Sequence, residues 1–122
     1  MDRVFAVQQQ HYWDKSRGEF LPKFDLSPAE SFGRIEYLLS PTAAPFRPDG
    51  IVEELHERLS SIKPGDYLLL IGNPVLIGLA CAIAADYLDG RLQLLQWSGK
   101  ERRYIPVIVE GVFGDVPGEP NE

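Results

Sequence analysis

The sequence predicts a Rossmann-like α/β domain with about five strands in a mostly parallel sheet, an antiparallel hairpin at its C-terminal edge, and helices on both faces. Three observations carry this. Tyr67–Val75 reads as a buried strand, a tight Gly72-Asn73 turn and a helix that starts on Pro74. Strand-like runs alternate with helical patterns along the chain, which implies right-handed parallel crossovers. The last two strand-like runs are separated by Ser98-Gly99-Lys100-Glu101, a connection short enough for an antiparallel pair.

Each element follows from local chemistry. Val4-Phe5-Ala6-Val7 is a short apolar run and the expected first strand. His11 to Phe24 is polar and aromatic with both signs of charge, and is expected as a loop inserted over residues 10–25. Ser27-Pro28-Ala29-Glu30 starts a short helix, with Ser27 as the capping hydroxyl, Pro28 at the first helical position and Gly33 as its stop. Ile35–Leu39 reads as the second strand, and the proline-rich stretch 40–48 as irregular chain.

From Gly50 to Ser61, Ile51, Val52, Leu55, Leu59 and Ile62 repeat at helical spacing opposite Glu53, Glu54, Glu57 and Arg58. That helix covers one side of the sheet. Lys63-Pro64-Gly65-Asp66 turns the chain into the central strand. The next helix ends at Asp89-Gly90, where glycine takes a left-handed position. Arg91–Trp97 and Arg102–Val109 complete the sheet. The domain is expected over residues 1–109, followed by a flexible acidic tail over 110–122.

Bulk properties narrow the function classes. A chain of 122 residues with 44% hydrophobic content can bury a core without metals or disulfides. The net charge of −6 argues against non-specific nucleic-acid binding, which draws its affinity from neutralised phosphates. One cysteine, Cys81, forms no intramolecular disulfide and fits a reducing cytoplasm. The uncharged run Tyr67–Ala85 is broken by Gly72-Asn73-Pro74, so no membrane span is expected. The helix from Val75 to Ala85 is apolar all round, and a second protomer is its simplest outer cover, so a homodimer is expected; the alternative cover is the His11–Phe24 loop folded over it.

Ligands of open α/β sheets bind beyond the carboxyl ends of strands, which places a candidate site at Gly72, Asn73 and Val75. Helix N–H groups there suit a small phosphorylated ligand, with Arg102 and Arg103 as helpers. The Walker and dinucleotide glycine patterns are absent. His56 or His11 would have to act as base in any nucleotide-processing enzyme, but no catalytic set stands out. No metal site and no cofactor are expected. His11, Tyr12, Trp13 and Trp97 are candidates for contact with a host protein.

The stretches Asp25–Gly33 and Asp66–Gly78, followed by Gly90-Arg91 and Trp97…Tyr104-Ile105-Pro106, resemble a group of small uncharacterised proteins encoded by bacteriophages. That resemblance implies an accessory protein acting in a bacterial cytoplasm. A lesser likeness, in Ile71-Gly72-Asn73-Pro74 and Leu79–Ala85, is to Rossmann-like sensor domains that bind cyclic oligonucleotides across a dimer. The turn lacks the hydroxyl and basic residues often found there in such sensors. The reading is thus a non-enzymatic, dimeric binding module for a phosphorylated or nucleotide-like ligand. The alternative is a module that engages a host protein.

Overall fold

In the computed structural model, which describes residues 2–114, five strands form one sheet: β1 (Arg3–Gln8), β4 (Arg34–Leu39), β5 (Tyr67–Leu69), β6 (Leu92–Ser98) and β7 (Arg103–Val109). Their spatial order is β4-β1-β5-β6-β7. All neighbours are parallel except β6 and β7, which pair antiparallel with Trp97 opposite Tyr104. The expected sheet is therefore present, edge hairpin included.

The order dictates which face each crossover takes. The chain leaves β1 in one direction to reach β4, then reverses across β1 to β5 and on to β6. Right-handed crossovers in opposite directions must lie on opposite faces. Hence α1 (Pro48–Leu59) and α2 (Pro74–Tyr87) share one face, over Phe5, Val7, Leu38, Leu68 and Leu92. The opposite face, with Val4, Ala6, Leu69, Leu95 and Tyr104, is capped by a 3-10 segment at Ser27–Phe32. Helical cover is on both faces, but unequal.

That segment departs from the expected cap. Leu26 occupies the cap position, and the Asp25 carboxylate accepts the Ser27 N–H at 3.0 Å. Gly33 closes the segment as expected, its N–H bonding the Glu30 carbonyl. Six residues with Ala29 alone buried give too little apolar contact to extend an α-helix.

Residues 10–25 fold where a loop was expected. β2 (His11–Asp14) and β3 (Glu19–Pro22) form an antiparallel ribbon with Tyr12 opposite Leu21 and Trp13 opposite Phe20. Its turn is built by Asp14, whose carboxylate accepts the Ser16 N–H and hydroxyl, and by Gly18 at φ +63°.

At the amino edge of the sheet, Asp66 is 2% exposed. It accepts the backbone N–H groups of Arg3 and Lys63 at 2.9 and 3.1 Å and pairs with the Arg3 guanidinium at 3.1 Å. One carboxylate thus ties the start of β1 to the turn feeding β5.

At the far end of α2, Leu88 is the cap and both Asp89 (φ 54°) and Gly90 (φ 82°) are left-handed. Sequence placed only glycine there. A left-handed residue with a Cβ is strained, so Asp89→Gly is expected to stabilise the fold by about 0.5 kcal/mol, read as a higher urea midpoint. Beyond β7 the chain folds back, and the Val112 N–H donates to the Gly90 carbonyl at 3.0 Å. Most of the expected tail, residues 115–122, lies outside the described residues.

Candidate functional site

The carboxyl edge of the sheet is where the chain from β1 turns to one face and the chain from β5 turns to the other. Gln8, the last residue of β1, is buried at this divide. Its amide oxygen accepts the Asn73 N–H at 3.0 Å, and its amide nitrogen donates to the carbonyls of Ser40 and Ala43 at 3.2 and 3.4 Å. Gly72, at φ +125°, leaves room for it: a Cβ there would lie 2.6 Å from the Gln8 Cβ.

Asn73 caps α2, its side-chain oxygen accepting the Val75 N–H at 2.9 Å. Pro74 has no N–H, and those of Asn73 and Val75 are engaged within the protein. The N–H groups of Asn73 and Val75 are therefore satisfied within the protein, and the Val75 side chain is exposed.

An open cleft lies beside this turn, on the face bearing the 3-10 segment. It encloses about 480 Å³, within the usual size range of small-molecule sites. Leu69, Leu70 and Ile71 from the end of β5 line it, together with Trp97, Tyr104 and the segment Lys23-Phe24-Asp25. The Trp97 and Tyr104 rings meet edge to face with centroids 5.0 Å apart. Trp97 and Phe24 remain half exposed. The Lys23 ammonium sits 5.4 Å from the Phe24 ring centroid.

Two titrating groups mark this cleft. Hydrogen bonds from Ser27 hold the Asp25 carboxyl below its ordinary 3.8. Burial, then the charges of Asp25 and Tyr37, push the Tyr104 hydroxyl above its ordinary 10.0. A raised folded value means the folded state keeps the proton longer than the unfolded chain. Stability is then complete below pH 10 and falls as pH rises through the folded value. Tyr104→Phe is expected to flatten that alkaline fall, measured as urea midpoints between neutral and strongly alkaline pH.

The other sequence candidates are dispersed. Arg102 and Arg103 lie at the β6–β7 turn, on the same edge of the sheet but outside the cleft lining. Arg103 pairs with Glu101 at 3.1 Å, and Arg102 adopts a left-handed φ of 55°. His11 opens β2, whereas His56 is exposed on α1 with its Nδ1 3.1 Å from the Tyr87 hydroxyl. Cys81 is half-buried, and burial pushes its thiol up. Among the described residues, no three His, Cys, Asp or Glu side chains gather as a metal site requires.

Sequence reading missed Gln8 and the Lys23–Asp25 wall. A glutamine at the carboxyl end of an apolar strand was a visible signal for the first. The second had none, because the wall forms only when the ribbon returns the chain to the sheet.

No helix among the described residues is long and apolar enough to cross a membrane. No curated protein and no solved structure matches the chain. The family model of the phage Pam3 gp32-like protein matches residues 2–111. This match takes in every strand and helix from β1 to β7, and the chain belongs to the phage Pam3 gp32-like protein family.

Proposed function

We propose that the protein is a non-enzymatic binding module of phage origin, acting in the cytoplasm of an infected bacterium. Its ligand is a small nucleotide-like molecule seated in the cleft at the carboxyl ends of β5 and β6. The observation that carries this reading is the composition of that cleft: an apolar floor of Leu69, Leu70 and Ile71, exposed aromatic faces at Trp97 and Phe24, and a few polar groups at Lys23, Asp25 and Tyr104. A planar base stacks on such rings, and a phosphate is met by Lys23. Arg102 and Arg103 supply further positive charge at the same edge of the sheet. The engaged N–H groups at Asn73 and Val75 favour the cleft over the helix end as the ligand seat.

Thermal-shift and tryptophan-fluorescence titrations with mononucleotides, dinucleotides and cyclic oligonucleotides test this. A ligand at a hundred times its dissociation constant adds about 2.7 kcal/mol of stability, a clear rise in Tm. Trp97→Ala is expected to weaken binding by about 1–3 kcal/mol, the usual worth of one base–aromatic stack. Asn73→Asp locates the phosphate: retained affinity puts it at Lys23, and lost affinity puts it at the Gly72–Val75 turn. If no nucleotide raises Tm, the reading is wrong.

A further inference from the structure

We infer that the base held in this cleft is guanine, and that the Asp25 carboxylate selects it. The inference rests on the nucleotide reading above and narrows it to one base. Lys23, Phe24 and Asp25 are consecutive and all line the cleft, so one short wall presents a cation, an aromatic ring and a carboxylate. The cation meets the phosphate and the ring stacks on the base, which leaves the carboxylate for the base's edge. Asp25 is accessible there. Its hydrogen bonds come from Ser27, whose N–H donates at 3.0 Å. An ionised carboxylate has about four acceptor sites, so capacity remains for a ligand. Ser27 holds the group below its ordinary 3.8, so at neutral pH it is ionised and accepts without donating.

The bases answer such an acceptor differently. Guanine alone presents two adjacent donors, N1–H and the N2 amine, which the two carboxylate oxygens accept together. Adenine and cytosine each set a ring-nitrogen acceptor beside their amine, and uracil sets a carbonyl on either side of its one N–H. Each of those edges turns a lone pair toward the carboxylate, which repels it. A neighbouring hydroxyl suits the remaining group of the guanine edge. Tyr104 lines the same cleft, and burial, then the charge of Asp25, holds its hydroxyl protonated at neutral pH. A protonated phenol is a donor for guanine O6.

Calorimetric titration of the full chain with the 5′-monophosphates of guanosine, inosine, adenosine, cytidine and uridine tests the assignment. Guanosine monophosphate is expected to bind about tenfold or more tighter than the adenosine, cytidine and uridine compounds. Inosine monophosphate keeps N1–H but lacks the N2 amine, and is expected to fall between. Asp25→Asn keeps an oxygen for the Ser27 N–H, so its Tm without ligand is expected to stay close to that of the parent. Its amide sets one donor beside one acceptor, the complement of the adenine edge, so the preference is expected to pass from guanosine to adenosine. A disturbed fold lowers all five affinities together and does not exchange two of them. Equal affinity for every base overturns the assignment and leaves the nucleotide reading in place. So does a variant that weakens all five alike, because Asp25 then only shapes the wall. If none of the five binds, the nucleotide reading falls and the guanine assignment falls with it.

Discussion

Asp66→Ala is expected to destabilise the fold by about 3–5 kcal/mol, most of the stability of a domain at the low end of the ordinary range. The side chain of Asp66 is entirely withdrawn from solvent, and three donors converge on its two oxygens. Two are backbone N–H groups, of Arg3 and Lys63, and the third is the Arg3 guanidinium. Alanine removes the acceptor for all of them and leaves a buried void beside a partly buried cation. Arg3→Met is expected to cost distinctly less, since the two backbone donors still hold the carboxylate. Asp66→Asn should fall between, because one amide oxygen serves only part of the donor set. Urea titrations of the three variants check the ranking. If Arg3→Met proves as costly as Asp66→Ala, the ion pair rather than the backbone donors dominates.

Gly72→Ala is expected to cost about 2–4 kcal/mol, from a strained left-handed φ and from overpacking against Gln8. The added methyl would lie 2.6 Å from the Gln8 Cβ, a contact that cannot persist without backbone movement. Gln8→Ala leaves the Asn73 N–H without its acceptor and is expected to cost about 1–3 kcal/mol. The two substitutions are not expected to compensate. Alanine at position 8 keeps the Cβ that Gly72→Ala strikes, so the second change still carries its steric cost. Relief in the double variant would mean that the distal amide, not the Cβ, sets the limit. Both variants disturb the carboxyl edge, so a fall in nucleotide affinity measured alongside would show that the cleft depends on this anchor.

Much of the fold was legible because its determinants are local. Ile51, Leu55 and Leu59 repeat at helical spacing, and all three are buried on α1. Asn73 before Pro74 announces a cap, and Asn73 is the cap. The short connection after Ser98 announces an antiparallel pair, and β6 and β7 are one. The ribbon at β2–β3 was not read, although Asp14, Ser16 and Gly18 form its turn and Tyr12, Trp13, Phe20 and Leu21 its cross-strand pairs. The stretch carries no two-residue alternation, because Tyr12-Trp13 and Phe20-Leu21 are adjacent pairs flanked by charge. Ser27 looked like a cap because hydroxyl-proline pairs start helices, but Asp25 sits two residues earlier and accepts its N–H instead.

The candidate site divides along the same line. Sequence alone determined the α/β class, the parallel crossovers, the position of the β5–α2 turn and the phage likeness, since each rests on periodicity, turn chemistry or motif within a short stretch. Tertiary structure decided what that turn can do. Gln8 closes on Gly72 and Asn73 from 65 residues away along the chain from Asn73. The cleft joins Lys23-Phe24-Asp25 to Leu69–Ile71 and to Trp97, three segments that no local pattern links. Strand order, which brings β5 between β1 and β6, set both outcomes. Contacts between distant segments depend on that order and on the handedness of the crossovers, and the side-chain neighbours at the carboxyl edge follow only once the whole sheet has closed.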